Sequence, residues 1–166
     1  MAPHSVTVVR VRQYVCFAIS SPSIPPDAIT GLLLLEADEV KPKGSRIAGP
    51  SPVPRAHLWK LMSGRADTSS LIEHIAALMA KLEPREHEIQ TLLSSSDADG
   101  WIRAVRRFGA GAEDDDIVEP GRLVGGLERL RGQHPLLGFA LDHRTIELAA
   151  RMHVGFDFDE YGDEYE

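Results

Sequence analysis

The sequence predicts an α+β fold: a largely antiparallel sheet of about five strands with helices packed mainly on one face, for which a ferredoxin-like arrangement with a helical insertion is one candidate. Three observations carry this reading. Residues 6–20, 57–63, 101–108 and 154–158 are rich in β-branched or aromatic side chains and alternate with the period of a strand. Residues 70–82, 85–95 and 142–151 have helical spacing, two of them behind a capping residue. The last helix and strand, within residues 138–161, form one unit that closes an interior shared with the first strand.

In chain order, Val9, Val11, Val15, Phe17 and Ile19 share one strand face, and Arg10, Arg12, Tyr14 and Cys16 the other. Residues 14–19 are apolar on both faces, which places this strand in the middle of the sheet. Residues 21–26 turn the chain, and Pro26 opens a short helix to Leu35. Its four consecutive leucines, 32–35, predict a buried end. Residues 36–55, with six prolines or glycines after position 40, read as one long loop. The next strand places Leu58, Lys60 and Met62 opposite Trp59 and Leu61.

Ser70 and Glu73 form a capping-box pattern, and Leu71, Ile75, Leu78 and Leu82, flanked by Ile72 and Met79, make the core stripe of the helix that Pro84 ends. A second helix aligns Ile89, Leu92 and Leu93, and the two are expected to pack as a hairpin. Residues 101–108 form a half-exposed strand in which Arg106 and Arg107 point to opposite faces. Residues 110–135 read as a variable insertion, holding the acidic run Glu113-Asp114-Asp115-Asp116 and a weak helix opened by Pro120. Asp142 caps the last helix, whose expected apolar stripe is Ile146, Ala149, Ala150 and His153. Val154, Phe156 and Phe158 then take the dry side of the final strand and Asp157 and Asp159 the wet side, before an acidic tail at 162–166.

The chain has 166 residues, 43% hydrophobic and 26% charged, ordinary for one globular domain. A net charge of −7 argues against a nucleic-acid binder, which needs clustered Lys and Arg, and favours a basic protein partner. No apolar run is long enough for a membrane span, and one cysteine, Cys16, in an apolar strand fits a cytoplasmic setting. The seven histidines show no His-x-x-x-His pair, and the acidic tail lacks calcium-loop spacing, so no metal site is expected. Gly109-Ala110-Gly111-Ala112 is followed by four acids where a pyrophosphate would need a helix N-terminus, and no nucleophile elbow or phosphate loop occurs. No catalytic residue or cofactor is therefore assigned.

Several segments together resemble the bacterial DUF4279 family of small proteins of unknown function. Residues 14–20 are similar to its opening strand, Pro26-Asp27-Ala28-Ile29-Thr30 to its first helix, and Lys43-Gly44 to its basic-glycine turn. Trp59-Lys60-Leu61-Met62-Ser63 is similar to its tryptophan strand, residues 72–82 to its main helix, and Asp157-Phe158-Asp159-Glu160-Tyr161 to its terminal strand. About two-thirds of the chain is covered. Ser20-Ser21 replaces a usual glycine, and residues 110–135 are longer than usual. The resemblance implies an α+β fold and brings no activity.

Two functions are carried forward. The first is a non-enzymatic module that binds a basic protein, an immunity-type protein against a basic toxin being one such case, through Trp59, Asp157, Asp159, Glu160 and Tyr161. The second is a small-ligand enzyme or sensor with a pocket between residues 41–55 and the C-terminal strand, where Lys43, Arg46, Trp59 and Asp159 meet.

Overall fold

The computed structural model describes residues 9–45, 53–110 and 139–162, and at 9–11, 108–110 and 162 the backbone alone. In chain order the elements are β1 (Val9–Ser21), α1 (Pro26–Leu33), β2 (Glu39–Lys41), β3 (His57–Met62), α2 (Leu71–Leu82), α3 (Glu86–Ser95), β4 (Asp99–Ala110), α4 (His143–Arg151) and β5 (Gly155–Gly162). A 3-10 turn at Glu83–Arg85 links α2 to α3. The strands lie side by side as β2-β3-β1-β4-β5. Neighbours are antiparallel except β4 and β5, which run parallel and so need the crossover that contains α4. The fold is α+β, with an open, mixed, mostly antiparallel sheet.

The sequence of β1 explains its central place. Val15, Phe17 and Ile19 are fully buried on one face, and Cys16 and Ala18 are buried on the other. A strand dry on both sides has to be flanked on both edges, here by β3 and β4. The described helices gather on the Phe17 side. Ile29 and Leu33 of α1, Leu71, Ile75, Leu78 and Leu82 of α2, Ile89 and Leu92 of α3, and Leu148 and Ala149 of α4 join Val15, Phe17, Ile19, Trp59, Leu61 and Ile102 in one cluster. Phe17 and Trp59 meet edge to face at 6.1 Å, the arrangement their ring quadrupoles favour.

Local signals set the helix starts. Ser70 Oγ accepts from the Glu73 amide at 3.3 Å while the Glu73 carboxylate takes the Ser70 amide at 2.8 Å, so the capping box forms as spaced. Asp142 Oδ1 accepts the Thr145 amide at 2.7 Å and starts α4.

Several expectations are corrected. The 36–55 loop contains β2, held to β3 with Val40 opposite Trp59. The leucine run is not buried as a unit: Leu33 is fully covered, whereas Leu32 and Leu34 are 54% and 67% exposed, because the chain leaves the helix at Leu34 in the left-handed conformation (φ 53°). Ile72 is exposed as well. α3 follows α2 through the 3-10 turn at Pro84 and lies against α1 and α4. On α4 the buried stripe is Leu148, Ala149 and, just beyond, Met152, while Ile146, Ala150 and His153 face outward. Ala149 alone is shared with the expected stripe. Phe158 is 36% exposed, stacked between Phe156 and Phe139 at 5.9 and 4.6 Å. The acidic run 113–116, the Pro120 helix, Arg46 and residues 163–166 lie outside the described residues.

Candidate interaction surface at the sheet edge

Parallel pairing sets every residue of β5 beside a defined residue of β4: Arg103 by Asp157, Val105 by Asp159, Arg106 by Glu160 and Arg107 by Tyr161. Paired residues point to the same side of a sheet, so Arg103 meets Asp157 on one face and Arg106 meets Glu160 on the other. Arg103 donates to Asp157 Oδ2 from both Nε (2.8 Å) and a terminal nitrogen (2.6 Å), and its Nε lies 3.6 Å from Asp159 Oδ2. Arg106, almost wholly buried on the helix-bearing side, donates to Glu160 Oε1 at 2.7 Å. The Arg107 guanidinium stands 5.8 Å from the centre of the Tyr161 ring, within cation–π reach. Hydrogen bonding to Asp157 pushes the Arg103 pKa upward.

The wet face of β5 is therefore organised. Asp157 and Asp159 were expected to be simply solvated; both are half-exposed and held by Arg103. Along this rim Tyr161, on the aspartate face, is 52% exposed, and Glu160, on the helix-bearing face, is exposed as well. β5 is also the last strand on its side of the described sheet. The Arg103–Asp157 contact fixes the geometry of the carboxylate more than it stabilises the fold, because both side chains keep substantial solvent contact.

The other predicted site residues lie elsewhere. Trp59 has no exposed surface; its indole N–H donates to Thr30 Oγ1 at 2.9 Å and its ring fills the core, so it offers a partner no contact. Lys43 sits at the opposite edge, its Nζ donating to the Pro22 carbonyl at 3.0 Å and its amide to His57 Nδ1 at 3.0 Å. With β2 and β5 at the two ends of the sheet, Lys43, Trp59 and Asp159 are not brought together.

Two polar clusters carry no sequence motif. Ser21, fully buried, donates to Asp97 Oδ1 at 2.9 Å and accepts the Ile24 amide at 2.9 Å, while Ser23 donates to the same carboxylate oxygen at 2.7 Å. The two hydroxyls hold the Asp97 carboxyl below its usual range. Ser63 and His74 form a second pair, Oγ to Nδ1 at 2.6 Å, both buried. Burial pushes the His74 pKa down, opposed by the Ala66 backbone and by Glu73. With Nδ1 facing the Ser63 hydroxyl, this pair fastens the turn after β3 to α2. Cys16, also buried, has its pKa raised by desolvation, against the lowering effect of Lys60 and Arg103. No group of side chains suited to a metal occurs among the described residues, and no helix there is long and apolar enough to cross a membrane.

A family model described as a domain of unknown function, DUF4279, matches residues 11–118, about two-thirds of the chain. The chain belongs to the DUF4279 family. The matched part of this DUF4279 protein runs from β1 through β4, so α4 and β5 lie beyond it, as does the landmark Asp157–Tyr161. No curated relative and no solved structure matches the chain.

Proposed function

We propose that this DUF4279 protein is a binding module that takes a basic protein partner on the rim formed by β5. One observation carries the reading: a strand at the end of the sheet presents Asp157 and Asp159, held by Arg103, with Tyr161 exposed on the same face, and Glu160, held by Arg106, on the other face of the same rim. Strand β4 supplies a worked instance of complementarity, since Arg103 takes both Asp157 and Asp159 and Arg106 takes Glu160. Preset carboxylates select a cationic surface and speed encounter more than they add affinity. An immunity-type protein facing a basic toxin has this chemistry.

The test is affinity capture from the source cells with wild-type protein and with the neutralised variant Asp157→Asn/Asp159→Asn/Glu160→Gln, each first shown to melt cooperatively. A basic protein retained at low salt, released as ionic strength rises and absent from the variant is the expected result. Retention of the same protein by the variant, or retention indifferent to salt, overturns the reading.

A further inference from the structure

The opposite end of the sheet carries a second, independent surface. β2 is the terminal strand on that side of the described sheet, and its three residues read Glu39-Val40-Lys41. Val40 is 48% exposed although it stands opposite the buried Trp59. It points to the helix-bearing side, where Trp59 donates to Thr30 of α1. Leu32 and Leu34, at the C-terminal turn of that helix, are 54% and 67% exposed. Residues 35–38 join Leu34 to β2. Glu39 and Lys41 project to the other face, within 2.9 Å of each other, and Lys60 lies 2.9 Å from Glu39.

We propose that β2 pairs antiparallel with β2 of a second copy of this chain, giving a two-fold dimer with one sheet continuous across both copies. The strand is self-complementary. An antiparallel pairing centred on Val40 sets Val40 against Val40, Glu39 against Lys41 of the partner copy and Lys41 against its Glu39. Both charged pairs match on one face, and Val40 meets Val40 on the other. The same operation on the full length of β5 sets Asp157 against Glu160 of the second copy, and centred on Phe158 it sets Asp157 against Asp159; both repel. One edge of the sheet is thus built to take its own kind and the other to refuse it.

Sedimentation equilibrium on the full chain tests this directly. Wild type is expected to move from 18.2 kDa toward twice that mass as concentration rises. Glu39→Lys and Lys41→Glu each place like charges across the two-fold axis and should remain monomeric, as should Val40→Asp. Mixing Glu39→Lys with Lys41→Glu should restore the dimer, because the all-basic strand then faces the all-acidic one. Circular dichroism melts of each variant separate loss of pairing from loss of fold. A wild-type mass that stays monomeric to about 1 mM, the weak end of specific association, overturns the proposal. So does a dimer that survives all three single substitutions, or folded charge variants that fail to associate when mixed.

Discussion

His153 follows α4 with φ 61°, in the left-handed region that costs a residue bearing a Cβ about 1–2 kcal/mol. The position is imposed by the way α4 ends. Val154 N–H returns to the Ala149 carbonyl at 2.9 Å and His153 N–H to the Ala150 carbonyl at 3.1 Å, the paired bonds of a Schellman motif whose central position glycine normally fills. The imidazole is exposed, with Ser94 Oγ 3.2 Å from Nδ1 as its hydrogen-bond contact. Two substitutions separate backbone from side chain. His153→Ala removes the Ser94 contact and keeps the Cβ penalty; His153→Gly removes both. Glycine's greater freedom in the unfolded chain offsets about 0.5–1 kcal/mol of the relief. The glycine variant should therefore exceed the alanine variant by roughly 1 kcal/mol, a rise in Tm of about 2–4 °C for a chain of this length. Urea titration with equal slopes for the two variants is the measurement. Equal midpoints, or a glycine variant less stable than the alanine one, would refute the strain argument.

Acid should act on His74. Burial lowers its folded-state pKa below 6.5, so the folded form takes up its proton less readily than the unfolded chain. Its contribution to stability is complete above pH 6.5 and falls as the pH drops below that value. Stability at pH 8 minus stability at pH 5.5 should shrink in His74→Asn relative to wild type, and an unchanged difference counts against the assignment. For the β4–β5 ladder, a double-mutant cycle on Arg103→Ala and Asp157→Ala should return a coupling of about 0.5–1 kcal/mol, reduced by salt, since both side chains keep about two-fifths of their exposure. Zero coupling at low salt would mean that the ladder orders nothing.

Short-range signals were legible in the sequence. The Ser70 and Asp142 caps are set by residues three positions apart, and the two-sided apolar run of β1 follows from composition alone. Signals that depend on distant neighbours were not. Nothing near Asp157 announces Arg103, because their meeting needs the parallel register of strands 54 residues apart. β2 was invisible for another reason: the three residues between Asp38 and Pro42 are too few for their alternation to stand out among prolines and glycines, and their strand character comes from Leu58, Trp59 and Lys60 opposite them. Trp59 illustrates the limit on site prediction, since a tryptophan in an apolar strand reads alike as anchor or core until its neighbours are known. The phase of α4 slipped because nine residues give too few turns to choose between stripes that share Ala149.

The middle strand of this sheet is made long before one of its neighbours. Phe17 waits 44 residues for Leu61, and Val15 waits 89 for Ala104. At roughly 5–20 residues per second of synthesis, the β4 side of β1 stays unmatched for on the order of ten seconds. A nascent chain in that interval shows a half-zipped hydrophobic ribbon, the form most open to chaperone capture or to pairing with a stray strand. Folding yield in cells is therefore set by the order of synthesis as well as by the stability of the finished sheet.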